Sequence, residues 1–246
     1  DIGGGFFVLI HRVVLLSFFF YYSLFYKNVN KFFKNWRRYS TIGKNALSAM
    51  QKYKDRRRKV VLGMSRVCIF LADGFEEIEA LTVVDLLRRS DIGISMVSVS
   101  GDKTVTGSHG IAVQADALFE ETDFSGTEMI VLPGGMPGTK NLEAYGPLME
   151  LVDAFYKEDK YVAAICAAPR ILGQRGILQG RKACSYPDAE GDLDGAVVSH
   201  SSVETDGKVI TSRGMGCAIA FGLAIVEALQ GKEAADILAE KIIYAR

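Results

Sequence analysis

The fold is decided by one stretch of nine residues, Tyr161-Val162-Ala163-Ala164-Ile165-Cys166-Ala167-Ala168-Pro169. Its first five residues form an apolar run, which is typical of a strand buried on both faces of a parallel sheet. Cys166 follows at once, and the small residues and proline after it favour a sharp turn from strand into helix that exposes a side chain. The sequence therefore predicts a thiol at the carboxyl end of a central strand.

Two other predicted strands end in segments that can carry chemistry. Residues 67–72 are continuously apolar and stop at Asp73-Gly74, and residues 129–132 lead into Pro133-Gly134-Gly135. Sites in open α/β sheets lie at the carboxyl ends of the strands. If the sheet is parallel, the three loops emerge on the same side of it, close to Cys166.

The sequence after residue 65 alternates between strand-like and helix-like segments. Residues 76–89, 147–157, 216–229 and 232–243 are predicted helices. Residues 94–99, 196–203 and 209–211 are strand-like, and residues 101–115 are predicted to form a hairpin or an edge excursion. This alternation predicts an α/β protein, a three-layer sandwich around a mostly parallel sheet.

Cys166 is the candidate nucleophile. At the start of a helix, backbone N–H groups and the helix dipole favour the thiolate, which is both the nucleophilic form of cysteine and the form most readily oxidised. The N–H groups of Gly134 or Gly135, together with that of Ala167, are candidates for an oxyanion hole. The alternative for the two glycines is a simple turn. Cys68 lies in the middle of a predicted strand and is interpreted as structural.

Three glutamates, Glu76, Glu77 and Glu79, crowd the first turn of the first predicted helix. Acids at that position ordinarily complement the helix dipole. One that points at a neighbouring cysteine could donate or accept a proton instead. Spacing alone does not choose among the three.

Histidine is scarce after residue 65, where only His109 and His200 occur. Each is a possible accessory site residue or a surface residue, and no H-x-E pattern completes a glutaminase triad. The four cysteines lie far apart without a C-x-x-C pair, which predicts neither a zinc site nor a disulfide framework. The sequence thus predicts no metal and no cofactor, and free thiols in a reducing compartment.

Residues 1–63 differ in composition from residues 64–246 and are predicted to be an extension before the catalytic domain. They hold 13 Lys or Arg and two acids, whereas the domain holds 16 bases and 27 acids, a balance that does not favour nucleic acid as a partner. The extension is interpreted as a mitochondrial presequence, a secretory signal or signal anchor, or non-native translated sequence. A cytoplasmic or mitochondrial location fits the free thiols better than a membrane or secretory one.

Five motifs, in this order, resemble the ThiJ/PfpI superfamily, and within it most closely the deglycases. The similarity covers about residues 65–243. The motifs are ADGFEEIE at 72–79, VLPGG at 131–135, AICAAP at 164–169, TSRG at 211–214 and LAIVEAL at 223–229.

The resemblance implies a flavodoxin-like fold and a homodimer. It singles out Glu79 as the acid that hydrogen-bonds the nucleophile Cys166, and it places Gly135 and Ala167 at the oxyanion position. Family activities include cofactor-independent conversion of methylglyoxal and glyoxal to hydroxy acids, repair of glycated proteins, chaperone action and oxidative-stress sensing. The expected function is therefore a glutathione-independent glyoxalase or deglycase acting on small dicarbonyls or glycated proteins. The alternative is a redox-sensing chaperone in which Cys166 is an oxidation switch.

The chain departs from the family pattern at several positions. The protease-like branch has a histidine directly after the nucleophile, and Ala167 in its place argues against peptidase activity. A histidine that the deglycases carry on a later strand has no counterpart in residues 194–197, and His109 stands where a family member has an arginine across its dimer interface. Ser212-Arg213-Gly214-Met215-Gly216 has methionine where the family has proline. The departures other than Ala167 bear on substrate preference and on the dimer.

Overall fold

The structure, a computed structural model, describes residues 66–245. The described residues all belong to one compact unit of the chain. The predicted extension at residues 1–63 lies outside the described residues.

Eleven strands are found in the described part of the chain. They are β1 (Val67–Leu71), β2 (Ile94–Ser98), β3 (Thr104–Thr106), β4 (Ala112–Gln114), β5 (Ala117–Leu118), β6 (Met129–Leu132), β7 (Tyr161–Ile165), β8 (Lys182–Ala183), β9 (Val197–Val198), β10 (Val203–Asp206) and β11 (Val209–Ser212). Seven form the central sheet in the order β10-β11-β7-β6-β1-β2-β5. All neighbours in it are parallel except the edge pair β10 and β11. The predicted hairpin is the antiparallel pair β3 and β4.

Six α-helices cover the two faces of this sheet. They are α1 (Glu77–Arg89), α2 (Gly138–Ala144), α3 (Gly146–Lys157), α4 (Pro169–Gln174), α5 (Ala218–Gln230) and α6 (Lys232–Lys241). Alternate residues of β1 enter two separate cores because successive side chains of a strand point to opposite faces. Ile69 packs with residues of α1, α5 and α6. Phe70 packs with residues of α2, α3 and α4. The predicted three-layer α/β sandwich with a mostly parallel sheet is confirmed.

The strand order reverses between β1 and β6. The chain leaves β1 through α1 toward β2 on one side, whereas β6, on the other side, continues through α2 and α3 to β7. Because these connections cover opposite faces, a crevice opens at the carboxyl ends of β1 and β6, which is where ligands bind in sheets of this kind. The turn after β7 opens beside it.

Several segments differ from the sequence prediction, and the unpredicted short strands β5 and β8 are among them. The strand expected at residues 196–203 is wrong, because only Val197–Val198 pairs there and β10 starts at Val203. Between them the Ser199 side chain accepts from the Ser201 backbone N–H at 3.1 Å, a local bond that favours a turn over a strand. Helix α2 was not predicted, since it follows the glycine-rich turn after β6 directly. Within residues 66–245, no helix is both long and apolar enough to cross a membrane.

Candidate active site

Cys166 is the first residue after β7 and has a strained backbone. Its φ is +63°, in the left-handed region that residues other than glycine seldom adopt and that costs about 1–3 kcal/mol. Two backbone bonds hold this conformation, one from Cys166 N to Ser212 O at 2.9 Å and one from Tyr186 N to Cys166 O at 2.8 Å. The thiol is partly exposed, whereas Cys68 and Cys184 are buried. The turn therefore presents one thiol toward the crevice.

The carboxyl of Glu79 lies beside this thiol. Glu79 is on the first turn of α1 and its side chain is almost fully buried. Its Oε2 accepts from the backbone N–H of Gly134 at 2.9 Å, which ties the helix after β1 to the loop after β6. Its Oε1 has no hydrogen-bond partner of normal geometry among the described residues, and the carboxyl interacts with the Cys166 thiol and with the charge of the Glu76 carboxylate.

Burial and proximity make Cys166 and Glu79 share protons. Burial raises the pKa of the Glu79 carboxyl to about 7. Burial first, and then the ionised carboxylate, raise the pKa of the Cys166 thiol to about 12, although the N–H groups of Gly135 and Ala167 lower it. The pair therefore loses one proton near neutral pH and keeps the other to high pH. When the remaining proton is on Glu79, the carboxyl donates a hydrogen bond to the Cys166 thiolate. When the remaining proton is on the Cys166 sulfur, Glu79 is an ionised carboxylate that can act as a base.

Gly134 leaves no room for a side chain between the two groups. A Cβ there would lie 2.5 Å from the Cys166 Cβ and 2.6 Å from the Glu79 Oε2. Gly135 has φ +92°, and a Cβ on it would lie 2.4 Å from the Glu76 backbone N. The two glycines thus let the loop after β6 approach α1 and the thiol closely. The backbone N–H groups of Gly135 and Ala167 both interact with the Cys166 sulfur.

The other two glutamates of this turn have structural partners. Glu76 caps α1, because its Oε2 accepts from the Glu79 backbone N–H at 2.6 Å. Glu77 accepts from the His109 backbone N–H at 2.8 Å and from the Ile111 backbone N–H at 3.4 Å. Burial alone would raise the pKa of Glu77, but its hydrogen bonds, led by that from the His109 side chain, lower it to about 2.

The structure brings neither candidate histidine to the thiol. His109 Nδ1 lies 3.0 Å from Glu77 Oε2, and His200 Nδ1 lies 3.2 Å from Glu190 Oε1. Ligand atoms of Glu76, Glu77 and His109 lie within 4.8 Å of one another, the spacing of a metal site. Both carboxylates already accept the hydrogen bonds just described, so this group is accounted for by the capping of α1 and by the anchoring of the loop at residues 108–111.

Two further residues line the site and were not among the sequence candidates. A Cβ placed on Gly214 would lie 3.9 Å from Glu79 Oε1 and 4.0 Å from Cys166 Sγ. The same position is 3.5 Å from Cδ2 of the Tyr186 ring. Tyr186 follows the two-residue strand β8 in a stretch whose polar composition is typical of a loop. No strand was predicted there, so nothing in the sequence selected Tyr186 as a site residue.

Together, the fold and the Cys166–Glu79 pair define a flavodoxin-like α/β protein with a cysteine beside the crevice at the carboxyl ends of β1 and β6. The DJ-1/PfpI family model matches residues 65–228, and the chain belongs to this family. The family includes deglycases, and the chain is 32% identical over 167 residues to a protein named as a deglycase from Pyrococcus abyssi, covering 67% of this chain and 99% of that protein.

Other relatives and solved structures agree with this assignment. Protein DJ-1 homolog B from Arabidopsis thaliana is 39% identical over 172 residues, which is 69% of this chain and 39% of that protein. The chain spans 44% of a second Arabidopsis relative, DJ-1 homolog A, and so covers less than half of either. The structure of oxidized DJ-1 from Toxoplasma gondii is 33% identical and matches with a TM-score of 0.71, covering 74% of this chain and 100% of that one. The crystal structure of Drosophila melanogaster DJ-1beta is 32% identical with a TM-score of 0.70, at the same coverage.

Proposed function

We propose that this chain is a glutathione-independent cysteine enzyme that converts small 1,2-dicarbonyls to 2-hydroxy acids, as in the conversion of methylglyoxal to lactate. The observation that carries the proposal is the buried Glu79 carboxyl, whose pKa is raised to about 7, beside the Cys166 thiol. A nucleophile and a proton carrier that titrates near neutral pH are the two groups that such a reaction requires. The similarity to a relative named as a deglycase supports an enzymatic role for this site.

The chemistry begins with addition of the Cys166 thiolate to the aldehyde carbon of methylglyoxal. The new C–S bond leaves an alkoxide, which the N–H groups of Gly135 and Ala167 stabilise until it takes the Glu79 proton to give a hemithioacetal. The Glu79 carboxylate then removes the proton from C1, giving an enediolate, and returns it to C2, while the hydroxyl proton on the C1 oxygen passes to the C2 oxygen. C1 is thereby oxidised to a thioester and C2 is reduced to an alcohol, so the step balances without an external oxidant. Water releases lactate and the thiol.

The test is turnover of methylglyoxal by the purified chain without glutathione and after treatment with a chelator. We expect Cys166→Ser to be inactive and Glu79→Gln to lose roughly 100-fold or more in kcat, the range typical of a removed general acid or base. Cys217→Ser is the matched control, because this thiol is also partly exposed but lies outside the pair, and it should keep wild-type turnover. Full activity in Cys166→Ser would contradict the proposal.

A second candidate function uses the same thiol as an oxidation switch. The specific observation that favours it is the partial exposure of Cys166 at a strained turn beside a proton donor, the setting in which a thiolate is readily oxidised. Peroxide treatment followed by peptide mass spectrometry distinguishes the two functions. Negligible turnover together with selective Cys166 sulfinate formation favours the switch, whereas turnover that is lost on oxidation favours the enzyme.

A further inference from the structure

Gly214 leaves a space the size of a methyl group directly above the reacting pair. The position that a Cβ on Gly214 would occupy lies 4.0 Å from Cys166 Sγ and 3.9 Å from Glu79 Oε1. Both distances are ordinary van der Waals contacts. When a substrate is bonded to the sulfur through one carbon, a carbon atom further along the substrate can therefore occupy this position. There it also contacts the Glu79 carboxyl.

The ring of Tyr186 also borders this space. Its Cδ2 lies 3.5 Å from the same position above Gly214. The backbone bond from Tyr186 N to Cys166 O, at 2.8 Å, fixes the start of this side chain relative to the thiol. About half of the surface of Tyr186 is exposed. The ring is therefore a wall that faces both the space and solvent.

The ionisable groups next to Tyr186 are paired with each other. Arg213 Nη2 lies 3.1 Å from Glu190 Oε1, and His200 Nδ1 lies 3.2 Å from the same oxygen. The guanidinium of Arg213 is thus already occupied by a carboxylate. This arrangement suits an uncharged substituent above Gly214 rather than a second carboxylate.

We propose that Gly214 and Tyr186 set the size of the substituent that the enzyme accepts on the second carbonyl of an uncharged 1,2-dicarbonyl. The proposal rests on the proposed dicarbonyl activity. It assigns hydrogen and methyl, as in glyoxal and methylglyoxal, to the space above Gly214. Larger groups, such as the phenyl ring of phenylglyoxal, meet the Tyr186 ring.

Gly214→Ala is a sharp test because the added methyl group fits the folded chain. Its contacts of 3.5–4.0 Å require no displacement, and the extended backbone at Gly214, with φ 162°, is open to alanine. We expect kcat/KM for methylglyoxal to fall about tenfold or more relative to that for glyoxal, which is the discrimination typical of one methyl group in a hydrophobic pocket. Gly216→Ala is the matched control, since a Cβ there meets nothing within 4 Å, and it should leave the ratio unchanged.

Tyr186→Ala provides the opposite test. Removing the ring should raise kcat/KM for phenylglyoxal relative to methylglyoxal by about tenfold or more, and Tyr186→Phe, which keeps the ring, should retain the wild-type ratio. If both ratios stay unchanged in folded Gly214→Ala and Tyr186→Ala proteins, the size limit lies elsewhere and the inference is wrong.

Alkylation of Cys166 separates this inference from the proposed function. If the wild-type chain turns over no dicarbonyl, the proposed function fails. The space above Gly214 is then measured by the rates at which iodoacetamide and its bulkier N-phenyl analogue modify Cys166. As with the substrates, the larger reagent is expected to be affected more. Gly214→Ala should slow the alkylation of Cys166 by the bulkier reagent more than its alkylation by iodoacetamide. Equal slowing of the two reagents would overturn the size limit itself.

Discussion

The proton shared by Cys166 and Glu79 makes the reactivity of the thiol depend on pH. At low pH both groups are protonated and the thiol is unreactive. As pH rises through about 7, the pair loses one proton, mainly from Glu79, and the ionised carboxylate then keeps the other proton on the thiol, whose pKa is raised to about 12. We therefore expect the rate of Cys166 alkylation by iodoacetamide to keep rising with pH well above 7, without a plateau near neutral pH.

Glu79→Gln should raise the rate of Cys166 alkylation at pH 9 by about tenfold or more, because it removes the negative charge that raises the pKa of the thiol. The amide carries no charge that would repel a thiolate, so burial is then the main remaining cause that raises the pKa of the thiol. Peptide mapping follows the modification of Cys166 separately from that of the other cysteines. The exposed Glu150→Gln is the control and should keep the wild-type profile. An unchanged alkylation rate at pH 9 in Glu79→Gln would show that the two groups are not coupled.

At the residue scale, the sequence predicted the position of Cys166 but not the choice of its partner. Cys166 could be found because the apolar run before it marks a buried strand and the residues after it mark a sharp turn. Glu76, Glu77 and Glu79 share one turn, and their side chains point to a helix cap, a loop and the thiol, respectively. Spacing could not separate these directions, and only the resemblance to a known family selected Glu79.

At the scale of elements, the strands of the parallel sheet were the most predictable. All residues of β1, β2 and β6 are buried, so their sequences are continuous apolar or small-residue runs. The strand predicted at 196–203 is wrong because the side chains of β9 are exposed and local serine bonds shape the next residues. Tyr186 and Gly214 come together only through the three-dimensional arrangement of β8, β11 and the turn after β7.

Glu77 joins two elements, α1 and the loop at residues 108–111 after the first strand of the β3–β4 hairpin. The folded state holds the pKa of this carboxyl at about 2, below its ordinary value of 4.5, so its ionised form stabilises the fold above pH 4.5 and loses this effect as pH falls through 2. We expect Glu77→Gln to lower the free energy of unfolding by about 1–3 kcal/mol at pH 6. The difference from wild type should narrow steadily as the pH is lowered below 4.5.

Urea unfolding of both proteins at several pH values between 3 and 6 measures this difference. Glu233→Gln is the matched control, because Glu233 also lies in a first helical turn but is exposed and caps nothing. Its effect should stay within about 0.5 kcal/mol at every pH. A loss of stability in Glu77→Gln that is independent of pH would assign the effect to packing rather than to the ionised carboxylate.

At the scale of the whole molecule, the buried carboxyl needed for the site works against the stability of the domain. Residues on both faces of the sheet pack into two apolar cores, and Glu79 is one of few charged side chains enclosed beside them. Its pKa of about 7 in the folded state lies above the ordinary 4.5, so the folded state resists its ionisation. Stability is then unaffected below pH 4.5, falls as the pH rises from 4.5 to 7, and stays reduced above 7.

Glu79→Gln should therefore be more stable than wild type at pH 8, by about 1–3 kcal/mol, while being impaired in turnover. The amide does not ionise, and its oxygen can still accept from the Gly134 N–H that Glu79 Oε2 now binds. The gain should disappear when both proteins are compared below pH 4.5, where Glu79 is protonated in the folded and unfolded states alike. Thermal or urea unfolding at pH 4 and pH 8 gives both differences. A variant that is less stable than wild type at pH 8 would show that the ionised carboxylate makes stabilising contacts that outweigh its burial.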